Sequence, residues 1–342
     1  MWLAKYSIDS SDSIALRAAI QNSLESAGVM LSDVALAVSG GPDSAMLAVE
    51  CAVLANMCGV KPNIFHVHHG LQDSADTWQS KVHDLAHILG VSCHSIKVNV
   101  ASTAGIGIEA AARKARYEAI SNLADQLNIK HIILAHHRDD QAETVLLRLL
   151  RGSGPSGLSA MAPIIERDGI NYLRPWLNVS RLSIMQQMQA FIMATGWSPV
   201  YDPTNYDQKY TRSAVRELLA PALDRRWPSW QSILARHAEH AAQTTEILLE
   251  VGNEDFSKLD PDPSGLSFSL QKWRGLSRAR QAHVLRFWFD RHGLRAPTHA
   301  RLNNLMRQMR TLHALGHDRH MQVKHDGAVV KCHRGRVSLE LK

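Results

Sequence analysis

Cysteine is scarce in this 342-residue sequence, and none of its four cysteines lies in a Cys-x-x-Cys pair. This spacing argues against a redox centre of paired cysteines and indicates reduced thiols. No apolar run approaches the roughly 18 residues that a membrane span requires. The N-terminus also lacks a basic region followed by an apolar stretch, the pattern of a secretory signal. We therefore expect a cytoplasmic protein with no membrane-bound segment.

Charge is distributed unevenly along the chain. Residues 1–210 contain 16 Lys and Arg against 19 Asp and Glu, a net charge of −3, whereas residues 211–342 contain 22 against 13, a net charge of +9. A surface this rich in arginine favours a polyanion such as RNA as its partner. The alternative is a solvated basic surface without a function.

Apolar runs of strand length alternate with helical patterns through the first half of the chain. This alternation predicts an α/β fold with a doubly wound, mostly parallel sheet, in which ligands bind beyond the carboxyl ends of the strands. We predict an α/β domain at 1–216, a helical linker at 217–250 and a smaller, mainly helical, basic domain at 251–342. The smaller domain is predicted to end in two strands, at 322–330 and 337–341.

A phosphate-binding loop is predicted at residues 39–44. The sequence Ser-Gly-Gly-Pro-Asp-Ser follows an apolar strand and precedes a helix. Glycine lets backbone N–H groups approach an anion, and the N-terminus of the helix attracts negative charge. The alternative is an ordinary Gly-Pro turn. A second candidate, Gly-x-Gly-x-x-Gly at 152–157, follows a predicted helix rather than a strand, so it is not a dinucleotide-binding fingerprint.

The loop resembles the Ser-Gly-Gly-x-Asp-Ser loop of the N-type ATP pyrophosphatases, also called the PP-loop superfamily. These enzymes cleave ATP between the α- and β-phosphates, and their loop binds the pyrophosphate. The resemblance implies that ATP and Mg²⁺ are the cofactors, with Asp43 assisting the metal ion. It also implies that the nucleotide is bound by Ser39, Gly40, Gly41, Pro42, Asp43, Ser44, His68 and Arg113.

Three further stretches narrow the resemblance to the family of tRNA(Ile)-lysidine synthases; they are residues 107–117, 134–144 and 201–216. Arg113 and Arg116 share a helix face, where guanidinium groups suit phosphate, although a surface ion-pair helix is the alternative. Asp140 and Glu143 lie on one face of a different predicted helix, and their carboxylates would suit the cation of a lysine substrate. In the third stretch Arg212 matches the arginine that reaches back to the active site in this family, whereas Ser213 replaces the usual asparagine.

The family resemblance implies a two-step reaction on tRNA(Ile) with a CAU anticodon. The O2 atom of cytidine 34 attacks the α-phosphate of ATP, and the ε-amine of L-lysine then attacks C2 and expels AMP. The resulting lysidine changes the codon read from AUG to AUA. The catalytic candidates are Asp43, Arg212, His136 and Asp140, and the candidates for binding lysine or tRNA are Asp140, Glu143, Arg116 and Arg216.

Several alternatives remain at this stage. A tRNA thiolase would use paired cysteines, which are absent, and the basic second domain argues against an NAD synthase. A non-catalytic RNA-binding protein with a vestigial nucleotide fold is the alternative of another class. Zinc at His66, His68 and His69, or at His313, His317 and His320, lacks cysteine or carboxylate partners nearby. The sequence leaves a homodimer open, and it ends before the further C-terminal domain that longer family members carry.

Overall fold

The structure, a computed structural model, divides into two compact units, Met1–Ala241 and Ala242–Lys342, and each is described by itself. No helix of the described residues is long and apolar enough to cross a membrane. The described residues are 2–3, 6, 10–29, 32–70, 74–98, 108–202, 209, 211–312 and 321–341.

A six-stranded sheet forms the centre of the first unit. Its strands are β1 (Asp33–Ala37), β2 (Lys61–His68), β3 (Ser92–Lys97), β4 (His131–Ile133), β5 (Ile164–Arg167) and β6 (Ile170–Leu173). The strand order is β3-β2-β1-β4-β6-β5, and every pairing is parallel except that of β5 with β6. The predicted mostly parallel sheet is confirmed. The order reverses between β1 and β4, and such a switch point opens a crevice at the carboxyl ends of the two strands.

Helices precede, connect and follow these strands. They are α1 (Ser11–Ser26), α2 (Pro42–Cys58), α3 (Ala75–Leu89), α4 (Ile108–Gln126), α5 (Arg138–Leu150), α6 (Pro155–Leu158), α7 (Arg181–Thr195), α8 (Thr211–Ala214), a π-helical turn (Val215–Leu219), α9 (Ala220–Arg226) and α10 (Trp230–Lys258). Within β1, Val34 and Leu36 pack into one apolar cluster, and Ala35 packs into another that includes residues of α4. Because β1 is buried on both faces, the loop that follows it starts from a fixed point.

The second unit combines helices with a four-stranded antiparallel sheet of order β7-β10-β9-β8. Its core contains Trp273, Trp288, Phe268 and Phe289, all fully buried. After the end of α10, its elements are β7 (Ser267–Ser269), α11 (Leu270–Arg274), α12 (Arg278–Arg291), α13 (His299–Thr311), β8 (Met321–His325), β9 (Ala328–His333) and β10 (Arg336–Glu340). A second, smaller domain beside the α/β domain was expected and is confirmed.

Of the two predicted terminal strands, the one at 337–341 is confirmed as β10 (Arg336–Glu340), whereas the one at 322–330 is wrong. The stretch 322–330 is not one strand, because the chain reverses at Asp326 and Gly327, where φ is +47° and +83°. Two successive residues with positive φ between antiparallel strands are typical of a type I′ hairpin, for which Asp-Gly is a favoured sequence. Met321–His325 and Ala328–His333 therefore pair with each other as β8 and β9.

Candidate active site at the carboxyl ends of β1 and β4

The loop at residues 39–44 joins β1 to α2 and has the shape of an anion cradle. Gly41 caps α2 without a side-chain hydrogen bond, so the first N–H groups of the helix remain available to a ligand. Gly40 has φ of +92°, and its carbonyl accepts a hydrogen bond of 3.0 Å from the Val200 amide. A Cβ at Gly40 would lie 3.0 Å from Val200 Cγ2. The position therefore requires glycine, and the loop is closed by Ser44, whose hydroxyl accepts from the Ser39 amide and donates to the Gly41 carbonyl.

Asp43 lies in the first turn of α2 and offers a carboxylate oxygen for a metal ion. Its Oδ1 atom is buried without a hydrogen-bond partner in the described part of the chain, although Arg181 Nε lies 3.5 Å away and His137 Nε2 3.8 Å away. Among the described residues no group of three or more His, Cys, Asp or Glu could hold a metal ion. One carboxylate beside a phosphate cradle fits Mg²⁺, which is commonly held by one or two carboxylates together with substrate phosphates and waters.

The start of α5 orients the acidic residues of the site. The Asp140 amide donates to His137 Nδ1 (3.4 Å), and the His137 amide donates to Asp140 Oδ2 (3.2 Å). This reciprocal pair is a capping box, with histidine in the place usually taken by serine or threonine. The cap fixes Asp140 one turn from Glu143 on the buried side of the helix.

Arg216 binds both of these acids from the π-helical turn. Its Nε donates to Glu143 Oε1 at 2.6 Å, and its Nη2 donates to Glu143 Oε2 at 3.0 Å and to Asp140 Oδ1 at 3.1 Å. Arg212, one turn earlier, donates from Nη2 to Thr144 Oγ1 at 2.9 Å and places Nε 3.6 Å from Glu143 Oε2. The two arginines thus bring the segment after residue 210 onto α5, as the family resemblance implies for Arg212.

The pKa values at this position diverge. Burial works to raise the pKa of Asp140, but His137, His136, Arg212 and Arg216 outweigh it and the pKa lies below its usual value. Burial raises the pKa of Glu143, and hydrogen bonding and attraction from Arg216 offset this only in part. Burial lowers the pKa of His136 to about 4, with Asp140 opposing the shift. His136 is therefore a neutral imidazole at physiological pH, and its Nδ1 atom is buried without a partner among the described residues.

The remaining predicted site residues lie at the end of β2 and on α4. His68 Nε2 lies within hydrogen-bond distance of Asp76 Oδ1, at 2.9 Å. Arg116 Nε donates to His69 Nε2 at 3.2 Å. Arg113 places its guanidinium 5.1 Å from the Tyr117 ring centroid, and its charge contributes to the lowered pKa of His136.

The three histidines of the first cluster, His66, His68 and His69, each contact a different partner. His66 Nδ1 lies 2.9 Å from the Val38 carbonyl oxygen, and His68 and His69 each have the separate partner given above. Two sets of residues singled out in the sequence lie outside the described residues: the cluster of His313, His317 and His320, and positions 203–208 and 210 of the third stretch. The glycine loop at 152–157 follows α5, a helix, as predicted, and Arg148 Nη1 donates to its Gly157 carbonyl at 2.7 Å.

Sequence reasoning missed two residues that complete the site. His137 stands next to the predicted His136 and is the buried cap of α5, a role that a sequence pattern of Ser, Thr, Asp or Asn caps does not reveal. Arg181 begins α7, where its amide donates to Asp139 Oδ2 at 3.0 Å and its guanidinium approaches Asp43. No local signal marks Arg181, because its partners lie about 40 and 140 positions earlier in the chain.

Both parts of the chain match known protein families. Residues 12–223 match the family described as PP-loop domain, and residues 268–338 match the TilS substrate binding domain. The tRNA(Ile)-lysidine synthase of Bordetella parapertussis is 54% identical over 95% of this chain and 94% of its own length. That of Ralstonia nicotianae is 39% identical over 90% of this chain and 64% of its own length. A U34-tRNA thiolase from Methanococcus maripaludis shares the fold alone, with a TM-score of 0.56 and 13% identity over 67% of this chain and 79% of its own.

Proposed function

Because the chain belongs to the tRNA(Ile)-lysidine synthase family, whose members are ligases, we propose that it joins L-lysine to C2 of cytidine 34 in the CAU anticodon of tRNA(Ile). The use of ATP follows from the PP-loop family. The observation that carries the finer proposal is the meeting of an anion cradle and a pair of acids at one switch point of the sheet.

ATP would bind with its β- and γ-phosphates at the 39–44 loop, where the helix N-terminus attracts them. Mg²⁺, when bound at Asp43, would supply charge neutralisation on the phosphate oxygens. Arg181 Nε lies 3.5 Å from Asp43, and Arg212 Nε lies 3.6 Å from Glu143, so both guanidinium groups border the cradle and the acids. Attack by the cytidine O2 atom increases negative charge on the α-phosphate, so a guanidinium aimed there lowers the barrier to adenylation.

Lysine would bind with its ammonium group at Asp140 and Glu143. Both carboxylates are buried and already hold one cation, Arg216, so the site is built for a positive charge. Because the ammonium has a solution pKa of about 10.4, it must lose a proton before it attacks C2. His136 is the candidate acceptor, since it is neutral and faces Asp140, and phosphate charge beside it would raise its pKa towards a useful value.

The proposed division of labour follows the charge of the chain. Residues 1–216 would form the catalytic domain, 217–250 a helical linker and 251–342 the basic tRNA-binding domain. The family matches at 12–223 and 268–338 and the excess of Lys and Arg after residue 211 support this division. An enzyme that uses ATP and tRNA would act in the cytoplasm. The homodimer remains a prediction, and analytical ultracentrifugation would test it.

AMP release in the presence of tRNA(Ile) transcript and ATP tests the function directly. With lysine, AMP and lysidine should form together. Without lysine, only pyrophosphate should be released, and its amount should not exceed one molecule for each tRNA that is adenylated. A transcript with a changed anticodon is the control for recognition of cytidine 34. A protein that binds the transcript but releases no lysine-dependent AMP would instead be the non-catalytic RNA-binding alternative.

A further inference from the structure

One tryptophan differs from the other seven in being exposed. Trp227 is 55% exposed, whereas the remaining tryptophans, all within the described residues, are buried or half-buried. It lies between α9 and α10, and the Arg226 guanidinium sits 5.5 Å from its ring centroid, a cation–π contact. Tryptophan is enriched at binding surfaces, because it offers a large flat apolar ring together with an N–H group, and this exposed ring is a candidate contact of that kind.

Hydrogen bonds fix the main chain at Trp227. The Trp227 amide donates to the Leu223 carbonyl at 2.6 Å, and the Trp227 carbonyl accepts from the Trp230 amide at 2.9 Å. Trp230 itself is buried and donates from Nε1 to Asp224 Oδ1 at 2.8 Å. Both peptide groups of the exposed residue are thereby anchored, so a ligand that stacks on the ring would not have to order the main chain beneath it.

The surroundings are basic. Between residues 224 and 236 the chain carries three arginines, at 225, 226 and 236, against one acid, Asp224. A polyanion with flat apolar groups matches this chemistry, because arginine binds the backbone phosphates while an aromatic ring stacks on a base. An acidic peptide would satisfy the charge and leave the ring face uncovered.

We propose that Trp227 and Arg226 form a stacking platform for one unpaired base of the tRNA substrate, close to the cytidine that is modified. Eleven residues of almost continuous helix separate Trp227 from Arg216, about 16 Å at 1.5 Å per residue. Stacked nucleotides advance about 3.4 Å each along one strand, so a base a few positions from the reacting one reaches this distance. This proposal depends on the proposed function, in which tRNA is the substrate, and it adds a tRNA contact outside the catalytic groups.

The test measures the affinity of the full-length protein for the tRNA(Ile) transcript at fixed salt. Trp227→Ala should weaken binding about tenfold, whereas Trp227→Phe should keep most of the affinity because it keeps an aromatic face. Ile233→Ala on α10 removes apolar surface that is 47% exposed and is the matched control, expected to bind as the wild type does. Circular dichroism and thermal unfolding of each variant separate lost stacking from lost folding.

A second arm identifies the base. Single abasic substitutions across the anticodon loop are combined with Trp227→Ala, and one position should show non-additive losses because both changes remove the same contact. Additive losses at every position, or equal binding by Trp227→Ala and wild type, would overturn the platform while leaving the proposed function intact. Failure of the wild type to bind the transcript would overturn both.

Discussion

Replacing Arg216 by methionine tests whether the acids of α5 are held by a cation, as the contacts indicate. Methionine keeps most of the apolar stem of arginine and removes its charge. Glu143 then loses the donors at 2.6 and 3.0 Å, and its side chain is only 6% exposed. An uncompensated buried carboxylate must either remain charged at a cost or take up a proton.

The expected destabilisation is about 2 kcal/mol near neutral pH. Removing one partner of a buried ion pair costs about 3–5 kcal/mol in general. The Arg216 side chain is 34% exposed, so solvent screens part of its interaction, and Arg212 Nε remains 3.6 Å from Glu143. Both facts bring the estimate below that range. For the first unit this corresponds to a fall in Tm of about 4–8 °C.

The dependence on pH carries the stronger test. The folded-state pKa of Glu143 is already above its usual value, and loss of Arg216 should raise it further. A carboxyl group whose pKa is raised by folding makes its full contribution to stability at pH values below its unfolded pKa. That contribution is lost as the pH rises through the folded-state pKa. The difference between Arg216→Met and wild type should therefore be small near pH 4.5 and reach its full size by about pH 8.

Urea unfolding of both proteins at pH 5 and pH 8 measures this difference, with the transition of the first unit followed separately. Arg216→Lys is the matched control: it keeps the charge and loses the bidentate geometry, so its pH dependence should stay close to that of the wild type. Equal destabilisation of Arg216→Met at both pH values would refute the reasoning, because it would mean that Glu143 does not depend on this cation.

Three further predictions concern the reaction and the loop. Asp140→Asn should raise the lysine KM several-fold and lower turnover in steady-state AMP release; unchanged constants would remove this residue from the lysine site. Arg212→Ala should slow pyrophosphate release without lysine by about 10²-fold, and a normal rate would count against its role in adenylation. Gly40→Ala should weaken ATP binding in titration calorimetry, since φ of +92° and the 3.0 Å approach to Val200 both oppose a Cβ, and wild-type affinity would show that the loop adapts.

The first β-strand, its loop and α2 were predictable because their signals are local. A short apolar run, two glycines and a proline at the first helical position each specify one conformation within a few residues. The strands that were missed are the short antiparallel ones. Ile164–Arg167 and Ser267–Ser269 contain four and three residues, too few for a periodic pattern. The turn from Ile164–Arg167 to its partner β6 is nevertheless marked locally, since Asp168-Gly169 has φ of +53° and +74°, positive at both residues as in Asp326-Gly327.

The acids of the candidate site were predictable, whereas the contacts that hold them were not. The i, i+3 spacing alone places Asp140 and Glu143 on one face of α5. Which cation they meet depends on how the chain returns after more than 70 residues. Here Pro221 contributes: it has no N–H group to donate to the carbonyl four residues earlier, and the preceding turn is a π-helix in which the Ala220 amide donates to the Val215 carbonyl. That widened turn carries Arg216.

The arrangement of charges suggests how such a site remains stable before its substrates arrive. Phosphates require cations and a lysine side chain requires anions, and a cleft that held either kind unpaired would pay a desolvation cost in the free protein. Here Arg181 approaches Asp43, and Arg216 is bound by Glu143 and Asp140. If the substrates bind as proposed, their binding would exchange one charged partner for another instead of burying a bare charge. An exchanged ion pair keeps nearly the same number of charge contacts. The affinity for each substrate would therefore come from the difference in free energy between the ion pair in the free protein and the ion pair with the substrate, and discrimination would come from the geometry of the ion pair with the substrate.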